Sequence, residues 1–318
     1  MSTTKKEALN VSIKDYITRQ EKSQEAKREI LQKLQLHKKQ QEKIINLLLE
    51  MEENKRATNL KDCGTYVEIT NCPECGAHIT AANFCKERVC PVCSWRRQGK
   101  YRAEFQKMLE LIQPSEGSLR HLTLTVRSVP QEELTDCLNQ MFYAWKKLCL
   151  STEWKKHIVG SSRTLEITYN KDKRTYHPHF HCLLQKKGNL SKAKIGEAWE
   201  KALAVTYYPE IEIKKLTDEK GILECFKYAF KASEATKPML TALLYTLKGR
   251  RLVGFTGSFK QARAMLKLPD ETALTDTPCI YSRKMGQAIT QEIYRFDFTG
   301  GIYRLYKPLS GSGTKSKH

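Results

Sequence analysis

The sequence predicts an α+β fold in which an antiparallel sheet is flanked by helices and preceded by an N-terminal helix and a cysteine-rich module. Between residues 119 and 307, segments that alternate apolar and polar residues are interspersed with segments of helical periodicity. The 318 residues are 40% hydrophobic, enough for a real core. No run of 18 apolar residues occurs, so the sequence predicts no membrane-spanning helix.

Residues 1–60 are predicted to form an N-terminal helical region. Up to residue 57 this region contains no Pro or Gly, and its apolar residues form one helical stripe comprising Ile30, Leu34, Ile44, Leu48 and Met51. Because His37 and Gln41 interrupt the heptad pattern, a helix packing on its own chain is favoured over a coiled-coil dimer, and the oligomeric state stays open. The first residues lack the features of a secretory signal, so we expect a cytoplasmic protein.

The segment 119–307 is predicted to be one domain with a C-terminal extension. Its predicted strands are LTLTVRSV, TLEITYN, TYHPHFHCLL, YYPEIEIKKL and two closing strands in ITQEIYRFDFTGGIYRLYK. Its predicted helices are QEELTDCLNQMFYAWKKLCL, SKAKIGEAWEKALAV, LECFKYAFKAS, ALLYTLKG and FKQARAMLKL. The tail 308–318 is predicted to be disordered.

The charge of the chain favours a polyanionic partner. There are 55 Lys and Arg against 35 Asp and Glu, a net charge of +20. Such a field attracts nucleic acid and makes its binding depend on salt. Nucleic acid is therefore the leading predicted partner, and the alternative is a basic protein that is merely soluble.

Six of the eleven cysteines lie within residues 63–93, which predicts a metal-binding module over residues 61–118. Two C-x-x-C knuckles separated by 14 residues have the spacing of a zinc ribbon, with the ligands Cys72, Cys75, Cys90 and Cys93. Cys63 and Cys85 could replace the first pair. Four thiolates leave no open position, so the zinc is expected to be structural. The basic residues around it, Arg88, Arg96, Arg97 and Lys100, are expected to contact DNA phosphate.

The sequence Y-H-P-H-F-H-C-L-L predicts a second metal site. On a strand, His177, His179 and His181 share one face. If N-K-D-K-R-T is a hairpin loop, Tyr169 pairs with Tyr176, and Glu166 then lies opposite His179. Two imidazoles and one carboxylate leave positions for water or phosphate oxygen, which suits Mn²⁺ or Mg²⁺. Thr123 and Thr125 are expected on a neighbouring strand. The same letters also satisfy the pattern of histidine-triad nucleotide hydrolases, which need no metal.

Taken in order, these motifs resemble the HUH endonucleases, and more closely the rolling-circle replication initiators, or Rep proteins, of small plasmids from Gram-positive bacteria. The matching segments are F-C-K-E-R-V-C-P-V-C-S-W-R-R, L-T-L-T-V, L-E-I-T-Y-N, H-P-H-F-H-C-L-L and E-C-F-K-Y, within residues 62–231, and K-G-R-R-L-V-G-F-T-G-S-F-K at 248–260. The resemblance implies a ferredoxin-like or RRM-like core. It also implies a metal-dependent endonuclease and strand transferase that nicks one DNA strand at an origin, stays on the 5′ phosphate and leaves a 3′ hydroxyl primer.

The resemblance also implies the roles of individual residues. E-x-x-x-Y assigns Tyr228 as the nucleophile and Glu224 as a general base, with Lys227 and Lys231 beside them on DNA. His179, His181 and Glu166 would hold the catalytic Mn²⁺ or Mg²⁺. Some members of the family keep only the positions matching Cys63, Cys85, Cys90 and Cys93. Host helicase and polymerase are implied partners. The rival classes are an HUH transposase or relaxase, and a zinc-ribbon DNA-binding regulator without nuclease activity.

Overall fold

The computed structural model describes residues 3–72, 76–112, 117–216, 235–268, 273–276 and 290–309. The chain divides into two compact units. The first comprises Met1–Trp95 and Thr272–His318, and the second comprises Arg96–Glu271. In the described ranges, no helix is both long and apolar enough to cross a membrane. The first two residues of the predicted disordered tail 308–318, Pro308 and Leu309, belong to a strand. The rest of that tail and the predicted helix L-E-C-F-K-Y-A-F-K-A-S fall outside these ranges.

Helix α1 (Thr3–Glu50) confirms the predicted N-terminal helix, and α2 (Asn54–Asp62) follows it after a short turn. Leu34, Ile44 and Leu48 of the predicted stripe are fully buried. Gln41, which interrupts the heptad pattern, is also buried, and its side-chain amide nitrogen donates a hydrogen bond there to Cys90 Sγ. The helix thus packs on its own unit.

The sheet of the first unit contains four antiparallel strands in the order β2-β1-β8-β9. Strands β1 (Tyr66–Cys72) and β2 (Gly76–Ala82) form a hairpin within the cysteine-rich segment, while β8 (Thr290–Asp297) and β9 (Ile302–Leu309) come from the end of the chain. Of the closing strands predicted for the domain 119–307, β8 therefore pairs with β1 and β9 pairs with β8, instead of joining the sheet of the second unit. Pairing of strands so far apart in sequence leaves no local signal.

The second unit is built on a five-stranded antiparallel sheet of order β6-β3-β5-β4-β7. Its strands are β3 (Ser118–Thr125), β4 (Ile158–Asn170), β5 (Thr175–Lys186), β6 (Ile211–Lys215) and β7 (Val253–Thr256). Tyr169 pairs with Tyr176 and Glu166 with His179, as the sequence predicts. Strand β3 lies on the other side of β5, with Thr123 opposite His181 and Thr125 opposite His179.

Helices cover both faces of this sheet. Within the described residues, the α-helices of the second unit are α3 (Pro91–Leu111, which begins in the first unit), α4 (Leu134–Leu150), α5 (Thr152–His157), α6 (Lys192–Leu203), α7 (Lys237–Thr246) and α8 (Gly257–Met265). Phe180 of β5 packs edge-on against Trp145 of α4 and close to Trp199 of α6.

On the opposite face, α3 and α8 form a core cluster with Leu183 and Val253 of the sheet. Leu183, His181 and His179 alternate along β5 and therefore share this face. The predicted histidine site thus lies on the same face as the α3 and α8 core, further along the strand.

Candidate metal centres

Glu166, His179 and His181 converge on one point at the surface of the sheet. Glu166 Oε2 lies 2.7 Å from His181 Nε2 and 3.1 Å from His179 Nε2. Strand pairing produces this arrangement, because Glu166 on β4 is directly opposite His179, and His181 follows two residues later on the same face. The three side chains are only 11–12% exposed. The predicted ligand set is therefore brought together within 4.8 Å.

The hydrogen bonds fix which nitrogen of His179 faces the carboxylate with a lone pair. Nδ1 lies 3.2 Å from the carbonyl oxygen of His177, and because a carbonyl only accepts, Nδ1 must carry a proton. The neutral ring then has its lone pair on Nε2, towards Glu166. A lone pair facing a carboxylate requires a proton or a cation between them. The donor set therefore fits a divalent metal ion.

The electrostatics of Glu166 favour its charged form. Burial by itself would raise the pKa of this carboxyl, but protons placed between Glu166 and the facing nitrogens of His179 and His181 outweigh burial and hold the pKa well below its usual range. Glu166 is thus a carboxylate at neutral pH. One carboxylate and two imidazoles suit Mn²⁺ or Mg²⁺ with coordination positions left for substrate oxygens.

His121 of β3 is part of this site, and sequence reasoning missed it. Its Nε2 lies 3.0 Å from His181 Nδ1, and the two rings stack with centroids 5.2 Å apart. A signal was present, since His121 precedes Thr123 by two residues and so shares its face of the strand. The predicted His177 lies beside His179 with centroids 5.5 Å apart. Burial and the neighbouring His179 lower the pKa of His177.

A second group of ligands lies in the first unit, formed by Cys63, Cys85, Cys90 and Cys93. The sulfur of Cys93 is 3.5 Å from that of Cys63 and 3.7 Å from that of Cys85, and Cys90 is 3.6 Å from Cys63. Backbone N–H groups of Cys85 and Lys86 point at the sulfurs of Cys63 and Cys93, each at 3.3 Å. Four convergent sulfurs with amide donors fit a closed tetrahedral zinc site.

This geometry favours the alternative ligand set, in which Cys63 and Cys85 replace the first knuckle. Cys90 and Cys93 belong to the cluster, but Cys72 does not, and Cys75 lies outside the described residues. Cys72, the first residue of the first knuckle, ends β1 and pairs with Gly76 of β2. Each strand residue advances the chain by about 3.3 Å, so β1 carries Cys72 away from the cluster at Cys63. Cys63 and Cys85 take the places that spacing assigns to Cys72 and Cys75.

Ionisation of the cysteine cluster is shared unequally. Burial opposes charge on Cys90, but hydrogen bonds from Cys63, Cys85 and Cys93 lower its pKa well below the usual value. Hydrogen bonds with Cys63, Cys85 and Cys90 raise the pKa of Cys93. Hydrogen bonds with Cys63 and Cys90 likewise raise the pKa of Cys85. Ionisation of one buried thiol therefore disfavours ionisation of the neighbouring thiols, and a bound cation would stabilise several thiolates together.

The remaining predicted residues are placed less favourably or fall outside the described ranges. Arg96 is buried, with 8% of its surface exposed, which leaves little of it for a DNA backbone. Arg88, Arg97 and Lys100 are half-buried. The predicted nucleophile Tyr228, Glu224, Lys227 and Lys231 all lie in the segment 217–234, outside the described residues.

The fold and the sites define an α+β protein with a histidine-carboxylate centre on an antiparallel sheet and a separate four-cysteine cluster. A family model described as a replication protein matches residues 76–304, so the chain belongs to this family. This is the Rep family of rolling-circle plasmid replication that the sequence resembles.

Curated relatives agree with this assignment. A protein named "Protein rep" from Streptococcus pneumoniae is 29% identical over 228 residues, which cover 66% of this chain and 71% of the relative. One from a Bacillus species is 31% identical over 252 residues, covering 68% and 82%. One from Lactiplantibacillus plantarum is 30% identical over 247 residues, covering 69% and 77%. No solved structure matches the chain.

Proposed function

We propose that this protein initiates rolling-circle replication of a plasmid by binding the origin and nicking one DNA strand through tyrosine transesterification. The observation that carries the proposal is the convergence of Glu166, His179 and His181 on the sheet of a replication protein. Two imidazoles and one carboxylate form a cation site with open positions, which a DNA-binding regulator would not need.

Tyr228 is the proposed nucleophile. Its phenol oxygen attacks the scissile phosphorus, the bond from phosphorus to the 3′ oxygen breaks, and the leaving oxygen takes a proton to become the 3′ hydroxyl primer. The phosphotyrosyl ester keeps the bond energy for later rejoining. Mn²⁺ or Mg²⁺ held by the three ligands would offset the charge on the scissile phosphate and lower the barrier to attack.

Termination requires a second cleavage after one round of copying. With Tyr228 as the single nucleophile of the site, Glu224 is proposed to act as a general base on water. The two residues are four positions apart, the spacing at which side chains on a helix are neighbours. Lys227 and Lys231 are proposed to hold the DNA backbone near them.

The four-cysteine cluster is proposed to bind structural zinc, which would fix the chain between α2 and the start of α3. Arg88, Arg97 and Lys100 remain proposed phosphate contacts, and the burial of Arg96 makes it the weakest of the four predicted ones. Host helicase and polymerase are the proposed partners once the 3′ hydroxyl is exposed.

The test is a nicking assay on a supercoiled plasmid carrying the cognate origin, with Mn²⁺ or Mg²⁺ added. We expect nicked circles and a covalent protein–DNA adduct with the wild type, and unchanged origin binding without adduct for Tyr228→Phe. Tyr143→Phe, at a tyrosine of α4 that is 60% exposed, is the matched control and should behave as the wild type. Adduct formation by Tyr228→Phe would show that another residue attacks. Binding without nicking by the wild type would favour the regulator class.

A further inference from the structure

A basic cavity lies between β7 and α8 in the second unit, separate from the three metal ligands. Its volume is about 290 Å³, close to the lower end of the range for small-ligand pockets. Tyr101 of α3, Phe255 of β7 and three cations, Arg251, Lys260 and Arg263, line it. Two of these cations belong to the K-G-R-R-L-V-G-F-T-G-S-F-K segment, to which sequence reasoning assigned no chemistry.

The charge in this cavity is only partly compensated. Arg263 pairs with the buried Glu104 at 2.8 Å, and its guanidinium lies over the ring of Phe255, 4.9 Å from the centroid. Arg251 and Lys260 are exposed, and no carboxylate of the described part of the chain pairs with either side chain. The cavity therefore combines a positive rim with an aromatic wall, which complements an anion attached to a flat ring.

Strand register connects the cavity to the metal centre. In the β4–β7 ladder Thr164 pairs with Val253, and the N–H of Leu165 donates to the carbonyl of Leu252. The ladder ends at this pair, and Arg251 lies two residues before Val253 in the chain. Paired residues share a face, so Val253 and, two residues on, Phe255 lie on the face that carries His179 and His181. The cavity thus opens on the sheet face that holds the candidate active site.

We propose that this cavity binds one nucleotide of the single strand next to the scissile phosphate. Arg251 and Lys260 would hold its phosphate, and the base or sugar would lie against Phe255. The inference rests on the proposed nicking function, because it assumes that the metal centre receives a DNA strand. The size of the cavity favours a single strand, since a base pair would not enter it.

The experiment measures binding of a fluorescent single-stranded oligonucleotide with the origin sequence, by anisotropy and without added Mn²⁺ or Mg²⁺. All proteins carry Tyr228→Phe, so cleavage does not interfere. We expect the double variant Arg251→Ala/Lys260→Ala to bind about tenfold more weakly. The slope of log affinity against log salt should fall by about 0.7 for each phosphate that the variant no longer neutralises. Phe255→Leu should weaken binding several-fold without changing that slope.

The matched control is Lys194→Ala/Lys201→Ala. It removes two exposed cations from α6, which packs on the opposite face of the sheet. Equal reductions in affinity for both double variants would show that only the net charge matters and would overturn the proposal. The proposal would also be overturned if Arg251→Ala/Lys260→Ala lowered the affinity for duplex DNA more than the affinity for single-stranded DNA. Failure of the nicking proposal is detected separately in the plasmid assay with Mn²⁺ or Mg²⁺. It appears there as an adduct of Tyr228→Phe or as binding without nicking by the wild type, and it leaves the oligonucleotide affinities interpretable.

Discussion

His121 Nε2 lies 3.0 Å from His181 Nδ1, and this contact joins two adjacent strands of the sheet. For His181 to present a lone pair to a metal ion from Nε2, its proton must sit on Nδ1. That proton is then donated to Nε2 of His121, whose own proton must sit on the other nitrogen. His121 is therefore a positioning residue that sets the tautomer and the ring orientation of the candidate metal ligand His181.

The first prediction concerns His121. His121→Ala should weaken Mn²⁺ binding about 10-fold to 100-fold, because loss of a partner that orients a ligand typically has this effect. Titration calorimetry or Mn²⁺ electron paramagnetic resonance on the DNA-free protein measures it. His157→Ala, at a histidine of α5 paired with Glu153, is the control and should leave the affinity unchanged. If His121→Ala bound Mn²⁺ as tightly as the wild type, His121 would have no role in positioning His181.

The second prediction separates the two possible zinc ligand sets. Cys63→Ser should lose bound zinc and destabilise the first unit, because it removes one of four convergent sulfurs. Cys72→Ser should retain one equivalent of zinc, since Cys72 lies at the far end of β1. Metal analysis of the purified proteins gives the answer. Loss of zinc from Cys72→Ser with retention in Cys63→Ser would restore the pairing predicted from the knuckles.

The third prediction is a pH dependence of the first unit. Lys27 Nζ of α1 lies 2.8 Å from Glu292 Oε2 of β8. Burial opposes the charge on Glu292, but hydrogen bonds from Lys27 and Tyr294 outweigh it and lower the pKa of Glu292. A lowered pKa in the folded state stabilises the protein above the unfolded value of about 4.3, and this stabilisation is lost as the pH falls below it.

Glu292→Gln should accordingly lower the free energy of unfolding at pH 7 by about 1.5 kcal/mol, the usual scale for a hydrogen bond to a charged group. The difference from the wild type should narrow as the pH falls below about 4.3. Urea unfolding at several pH values measures it, with Glu42→Gln at an exposed position of α1 as control. If the difference in free energy of unfolding between the wild type and Glu292→Gln did not change with pH, the loss of stability would come from packing and not from charge.

The fourth prediction concerns the junction of β7 and α8. Gly257 has φ of +53°, and a Cβ there would overlap the backbone oxygen of Val159 on β4. Gly257→Ala should destabilise the protein by more than about 3 kcal/mol, since both the backbone conformation and the clash oppose it. Gly249 has φ of +72° but no atom within 4 Å of its Cβ position, so Gly249→Ala should cost only about 1 kcal/mol. Thermal unfolding compares the stability of the two variants. Equal destabilisation would show that the clash with Val159 contributes nothing.

Local pattern was sufficient for the histidine site. Alternation along β5 placed three histidines on one face, and a short hairpin loop fixed the register that brings Glu166 opposite His179. Both signals lie within about 20 residues of chain, where geometry follows from strand periodicity alone. His121 was within reach of the same reasoning, because it shares a face with Thr123, but its partner on β5 becomes evident only from the pairing of β3 with β5.

Tertiary structure alone decided the cysteine ligands and the partner of the closing strands. Spacing favours Cys72 and Cys75, but β1 carries Cys72 away from Cys90 and Cys93, and the turn after α2 brings Cys63 into the cluster. Strand β8 pairs with β1 from more than 200 residues away, and β9 pairs with β8. The sequence by itself determined the composition, the helices and the strand faces, because these depend on neighbouring residues. Contacts between distant segments depend on the free energy of the whole packed chain, and no local pattern specifies them.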